Sequence, residues 1–345
     1  MNLEFKNEEE KLNYLMDGVR NYDDVIKAQH NIKVPVIEPK IEEIKNDKDF
    51  FIIKTANECL EIAKLKPIPK SLYFDFWFQF ELCVLFASSN VGKSILAVQI
   101  ANLIAKYEKV LYVDCELSVK QFEGRYSDNY QNHYRFSDNF FRVELNPNCL
   151  ESSDDLFYKS LENAIISTGA KVLIIDNITY LKSDTEKAKD ASSLMKDLKR
   201  LKEKYSLSIL VLAHTPKRDM TKQLSINDLS GSAMIGNFID SAFTIGSSIK
   251  DKNLRYLKQI KVRAVEKKYE SDNIVVHQIV KYTNFLEFEF VGYASENEHL
   301  KEVSEKDKSA VKEQAKELQR VGKTQREIAK ELGISPMTVN RYLKP

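Results

Sequence analysis

The sequence predicts an α/β protein with a mainly parallel sheet, antiparallel strands at its end, and small helical pieces at both termini. Three observations lead there. Short, almost wholly apolar runs, 82-LCVLFA-87, 110-VLYVD-114, 172-VLIID-176 and 208-SILVLA-213, alternate with longer stretches of helical periodicity such as 94-SILAVQIANLIAKY-107 and 192-SSLMKDLKRLKEKY-205. Runs apolar on both faces are strands covered on both sides, which calls for helices above and below a parallel sheet. The later runs 254-LRYLKQIKVR-263, 273-NIVVHQIV-280 and 284-NFLEFEFVGY-293 alternate without helices between them, as antiparallel strands do.

The elements follow in chain order. In residues 1–65, Leu12, Leu15, Val19, Tyr22 and Ile26 recur at helical spacing, and 32-IKVPVIEPKIEEI-44 carries two prolines that favour an extended tether. A second helical pattern, 51-FIIKTANECLEIAKL-65, is closed by 66-KPIPK-70. The α/β region runs over 66–295, a charged linker over 296–307, and a separate helical module over 308–345.

Composition narrows the classes. The 345 residues carry 52 basic and 51 acidic side chains, so any nucleic-acid surface must be local rather than global. Cys59, Cys83, Cys115 and Cys149 lie far apart without metal spacing, which fits free thiols in a reducing compartment. The acidic start MNLEFKNEEEK has no apolar core of a signal peptide, and no run reaches a membrane span. A cytoplasmic protein with no membrane partner is the expectation.

The chemical clue is 85-LFASSNVGKS-94. It ends as a phosphate-binding loop, G-x-x-x-x-G-K-[ST], ends, but Ala87 stands at the first glycine. A strand enters it and a helix leaves it, as such a loop requires. Ser89, Asn90, Val91, Gly92, Lys93 and Ser94 would present backbone N–H groups to phosphate oxygens at a helix N-terminus. Lys93 would reach the β- and γ-phosphates of ATP, and the Ser94 hydroxyl would ligate Mg²⁺. Alanine is tolerated at position 87 if its φ stays negative. Asp176, closing an apolar strand, has the form of the aspartate that completes the Mg²⁺ shell. Asp114 and Glu116 follow another strand, where a carboxylate faces the ligand crevice and can activate water. Glu116 lies just past the strand and is the preferred base. Asp114 is the fallback, and an acidic turn capping 118-SVKQFEGRY-126 is the structural alternative.

These residues resemble the RecA-like P-loop ATPases, and within them the hexameric helicase group of RepA- and DnaB-like proteins, over roughly residues 66–292. The resemblance implies a RecA-like core and a glutamate after the strand that follows the loop helix, here Glu116. It also implies a polar sensor ending the strand after Asp176, here His214. A Gly-Ser segment and an aspartate follow, matched by Gly231, Ser232 and Asp240. A late K-x-R, here Lys261 and Arg263, would reach a neighbouring subunit's γ-phosphate in a ring; Arg255 and Arg125 stand behind them as substitutes. The polar stretch 215-TPKRDMTKQLSINDLS-230 would be a mobile loop contacting single-stranded DNA through Lys217, Arg218 and Lys222. Each basic residue here has a plain alternative as solvated surface. No primase-interacting N-terminal domain of the replicative helicases is recognisable.

The C-terminal stretch 323-KTQREIAKELGISPMTVNRYLK-344 reads as two capped helices around a turn. Thr324 caps the first, Gly333 turns, Ser335 caps, and Pro336 starts the second. Ile328, Leu332, Ile334 and Val339 would form the core, with 309-SAVKEQAKELQRVG-322 in support. This resembles the helix-turn-helix of resolvase- and sigma-like regulators. Residues 301–345 hold 11 basic against 7 acidic side chains. Met337, Thr338, Asn340 and Arg341 would face duplex DNA in the major groove. The expectation is an ATP-hydrolysing, DNA-acting homo-oligomer resembling RepA-like helicases of plasmids and mobile elements. The alternatives are an ATP-switched DNA-binding regulator or loader, and a recombinase-like filament ATPase.

Overall fold

A computed structural model of the chain describes residues 51–146, 154–177, 187–216, 218–230, 232–302, 305–332 and 334–343. The periodic stretch 12–26, the proline-bearing stretch 32–44, Lys217, Gly231 and Gly333 lie outside the described residues. The chain divides into two compact units, Met1–Lys66 and Pro67–Pro345. In the first, helix α1 (Ala56–Lys64) starts at a capping box. The Glu58 amide donates to Thr55 Oγ1 at 3.2 Å, and the Thr55 amide donates to the Glu58 carboxylate at 2.6 Å.

The second unit opens with a hairpin, β1 (Ser71–Tyr73) and β2 (Trp77–Phe78), too short for periodicity to reveal. There follow β3 (Leu82–Ala87), α2 (Lys93–Ile104), β4 (Val110–Asp114), α3 (Val119–Arg125), β5 (Ser127–Asp128), β6 (Asn132–His133) and β7 (Phe140–Glu144). Next come α4 (Asp154–Thr168), β8 (Val172–Asp176), α5 (Lys187–Tyr205), β9 (Ser208–His214), α6 (Ser232–Phe238) and β10 (Ser241–Ser247). The antiparallel strands β11 (Leu254–Lys261), β12 (Ile274–Tyr282) and β13 (Phe285–Ala294) precede α7 (Glu305–Arg320), α8 (Gln325–Leu332) and α9 (Pro336–Leu343).

One nine-stranded sheet has the order β13-β12-β11-β10-β3-β9-β8-β4-β7. Every pairing from β10 through β7 is parallel, and the three pairings from β10 to β13 are antiparallel. The four apolar runs are therefore the adjacent strands β3-β9-β8-β4, bounded by β10 and β7, and the alternating runs form the antiparallel flank. Two parallel strands escape the apolar pattern, β7 and β10. Strand β10 reads SAFTIGS because its neighbours press close. Thr244 Oγ1 donates to the Phe86 carbonyl at 2.7 Å, and a Cβ on Gly246 would fall 2.0 Å from the Tyr256 ring. Alternation sends side chains to two core layers. Cys83, Leu85 and Tyr112 pack with Leu96 and Ile100 of α2, whereas Val84, Leu111 and Leu173 pack with Leu161 of α4 and Met195 and Leu198 of α5.

The charged-linker expectation for 296–307 needs correction at its start. Glu296–His299 is a 3₁₀ turn with both named ends buried, and the Glu296 carboxylate accepts from Lys258 Nζ at 2.6 Å. Its charge is internal, paired with the sheet. At the C-terminus, Thr324 and Glu327 form a capping box and Ser335 Oγ accepts from the Thr338 amide at 3.1 Å. Ala315, Ile328, Ala329 and Val339 make the small core, with Leu318, Leu332, Ile334 and Leu343 packed on it. Among the described residues no helix is long and apolar enough to cross a membrane.

Candidate functional site

The site lies where β3, β4, β8 and β9 end, at the carboxyl edge of the parallel sheet. Ala87 is the last residue of β3 and pairs with His214, so the first loop position is extended backbone that alanine accepts. Positive φ is required further on, at Asn90 (62°) and Gly92 (104°). Gly92 is needed twice over: a Cβ there would also meet the Phe288 ring at 2.9 Å. Gln99 exchanges hydrogen bonds with the Phe288 backbone at 2.8 and 3.1 Å, so the β12–β13 hairpin holds α2 in place. The first amides of α2 have no intrahelical acceptor and face the loop.

Lys93 folds back across this loop. Its Nζ donates to the Ala87 and Ser88 carbonyls at 3.0 and 3.1 Å and stands 3.2 Å from His214 Nδ1. Burial lowers its pKa, while Asp176 and Glu116 act in the opposite sense. Asp176 is fully buried, and Tyr112 Oη donates to its Oδ2 at 2.7 Å. Burial pushes the Asp176 carboxyl up to about 6, against hydrogen bonding from Ser94 and Tyr112 that favours the anion. Its other oxygen, Oδ1, is buried without a hydrogen-bond partner. A buried carboxylate oxygen left over beside a serine hydroxyl is the donor set a hard cation takes, so Ser94 and Asp176 fit Mg²⁺. Among the described residues no cluster of three or more His, Cys, Asp or Glu side chains forms another metal site.

The two carboxylates after β4 part company. Asp114 is buried; its Oδ1 accepts from the Glu116 and Leu117 amides at 3.1 and 2.9 Å, and its Oδ2 from Arg142 Nε at 3.0 Å. Glu116 keeps an exposed carboxylate, with Oε1 3.4 Å from His214 Nε2. The capping turn also forms, since Ser118 caps α3. Asn177, one residue beyond Asp176 and across a cis peptide, reaches both Glu116 Oε1 and His214 Nε2. Sequence reasoning missed Asn177, and only its adjacency to Asp176 could have drawn notice.

Other expected residues fall elsewhere. The Asp240 amide donates to the Leu82 carbonyl at 2.8 Å, at the opposite end of β3 from Ala87, and Lys261 pairs with Ala242, itself level with Val84. Five strand steps separate those ends by about 17 Å. There Lys261 Nζ donates to the Gly236 and Ile239 carbonyls, closing the end of α6, and Arg263 lies 3.4 Å from Asp240. Arg255 instead touches the loop itself, donating from Nε to the Val91 carbonyl at 2.9 Å. Arg125 Nη1 is buried without a hydrogen-bond partner.

The 215–230 stretch corrects the expected free loop. The Leu224 amide donates to Glu296 and its carbonyl accepts from Lys258, each at 2.7 Å. The Arg218 side chain is only 8% exposed and turns back to the carbonyls of Asp219 and Lys222. Lys222 remains exposed. On α9, Met337, Asn340 and Arg341 are exposed, while Thr338 shares its hydroxyl with Ser335 at 2.9 Å.

Loop, carboxylates and sheet order define an α/β fold whose mainly parallel sheet carries a phosphate-loop-like turn at its carboxyl edge, followed by three short C-terminal helices. Residues 57–220 match the AAA domain family, and residues 316–345 match the winged helix-turn-helix DNA-binding family. One similar solved structure is a KaiC-like protein from the hyperthermophilic archaeon Pyrococcus horikoshii, 15% identical, with 61% of this chain and 90% of that chain covered at a TM-score of 0.44. No curated protein shows significant similarity to the chain.

Proposed function

We propose that the protein is a RepA-like replication ATPase of a plasmid or mobile element, hydrolysing ATP in the cytoplasm as a homo-oligomeric ring acting on DNA. The observation that carries this reading is the meeting of Lys93, Ser94, Asp176, Glu116 and His214 at one sheet edge. ATP phosphates entering the loop would take Lys93 from the Ala87 and Ser88 carbonyls. Ser94 and Asp176 would hold Mg²⁺, which when bound supplies positive charge to the phosphate groups. Glu116 would accept the proton of the attacking water, and His214 would contact the γ-phosphate. Lys261 and Arg263 lie far from their own loop, so they would serve a neighbouring copy's nucleotide.

The clamping of 215–230 by Glu296 and Lys258 favours a second reading, an ATP-switched DNA-binding regulator that does not translocate. ATP turnover with strand displacement supports the motor. Turnover with duplex binding and no displacement supports the switch. Lys93→Ala should abolish phosphate release under either reading, and unchanged turnover in that variant would sink the site assignment.

A further inference from the structure

The Asn177 carboxamide lies between the two groups assigned to water activation and phosphate sensing. It is 1% exposed, and its Nδ2 contacts Glu116 Oε1 and stands 2.8 Å from His214 Nε2. A carboxylate only accepts hydrogen bonds, so the asparagine atom facing Glu116 must be the donating nitrogen. That same nitrogen faces His214 Nε2. At 2.8 Å this nitrogen lies nearer Nε2 than the Glu116 Oε1 acceptor does, at 3.4 Å, so Nε2 takes the amide hydrogen and a singly protonated ring carries its proton on Nδ1. Nδ1 in turn is 3.2 Å from Lys93 Nζ, which can only donate. Without nucleotide, two donors face each other across this gap, while Lys93 finds its acceptors in the Ala87 and Ser88 carbonyls. An anionic oxygen between Lys93 and His214 would satisfy both.

We propose that Asn177 is a positioning residue that fixes His214 in its Nδ1–H tautomer, so that Lys93 and His214 form a two-donor receptor for a terminal phosphate oxygen of a nucleoside triphosphate. Its second N–H holds the Glu116 carboxylate beside them. The proposal rests on the roles of Glu116 and His214 given above, but Asn177 acts only through them and touches no substrate.

The sequence has five histidines, so imidazole ¹⁵N resonances of selectively labelled protein are few, and His214 is assigned by its loss in His214→Gln. The nucleotide-free protein should show His214 protonated at Nδ1. Asn177→Asp, of nearly equal size, offers Nε2 an acceptor in place of a donor and should move the proton to Nε2; Asn177→Ala should release the constraint. A wild-type ring protonated at Nε2, or an Asn177→Asp ring still protonated at Nδ1, overturns the proposal. In turnover, Asn177→Asp should lower kcat by about 10- to 100-fold with KM for ATP changed less than about threefold. An unchanged kcat also overturns it. The resonance experiment needs no hydrolysis, so a wild type without ATPase activity would defeat the site reading while the tautomer still decides the role of Asn177.

Discussion

Two carboxylates two positions apart, Asp114 and Glu116, occupy opposite environments. Asp114 is consumed by the turn it builds: two amides on one oxygen, Arg142 on the other. Glu116 is left exposed beside His214 and Asn177. Asp114→Asn should therefore destabilise the fold by about 3 kcal/mol, as removal of one partner from a buried ion pair does. Glu116→Gln should cost at least about 100-fold in turnover and less than about 0.5 kcal/mol in stability. Urea denaturation and phosphate release measure the two, and an exchange of these outcomes would make Asp114 the base. At this scale Gly92, Lys93 and Ser94 were legible because a phosphate loop is chemistry within a few consecutive residues. Asn177 was not, because its role needs the ends of β4, β8 and β9 side by side.

Among the elements, the 215–230 segment shows how position overrides composition. The family resemblance implied a free DNA-contacting loop here, carrying three basic residues. Its Leu224 nevertheless bonds to Glu296, 72 positions later, and to Lys258, and these two side chains pair at 2.6 Å in the interior. Lys258→Met alone should destabilise the protein by about 3–5 kcal/mol, because Glu296 is left buried without its cation. The double variant Lys258→Met/Glu296→Leu should regain much of that loss. Equal losses in the single and double variants, compared by urea titration, would show that the ion pair is not what anchors the segment. Strand β10 is outside the apolar runs that the sequence singles out, and Gly246 is the residue that fits under Tyr256.

For the whole molecule, near-neutral overall charge hides a local surplus, 11 basic against 7 acidic residues over 301–345. Asn340 and Arg341 are exposed on α9, and the proposed function has them meet a DNA groove. Arg341→Ala should weaken duplex binding and reduce the slope of log affinity against log salt by about 1, read by fluorescence anisotropy between about 50 and 200 mM salt. An unaltered slope would remove Arg341 from the phosphate contacts.

The sequence by itself determined the α/β class, the phosphate loop, the antiparallel flank and the capped terminal helices. Each of these rests on interactions within a turn or a strand, which periodicity and capping residues encode directly. Only the tertiary structure decided which carboxylate stays exposed, which residues surround His214, and where Leu224 and Glu296 go. Those outcomes depend on strand order in the sheet, where residues far apart in sequence share one edge and burial selects which polar groups must pair.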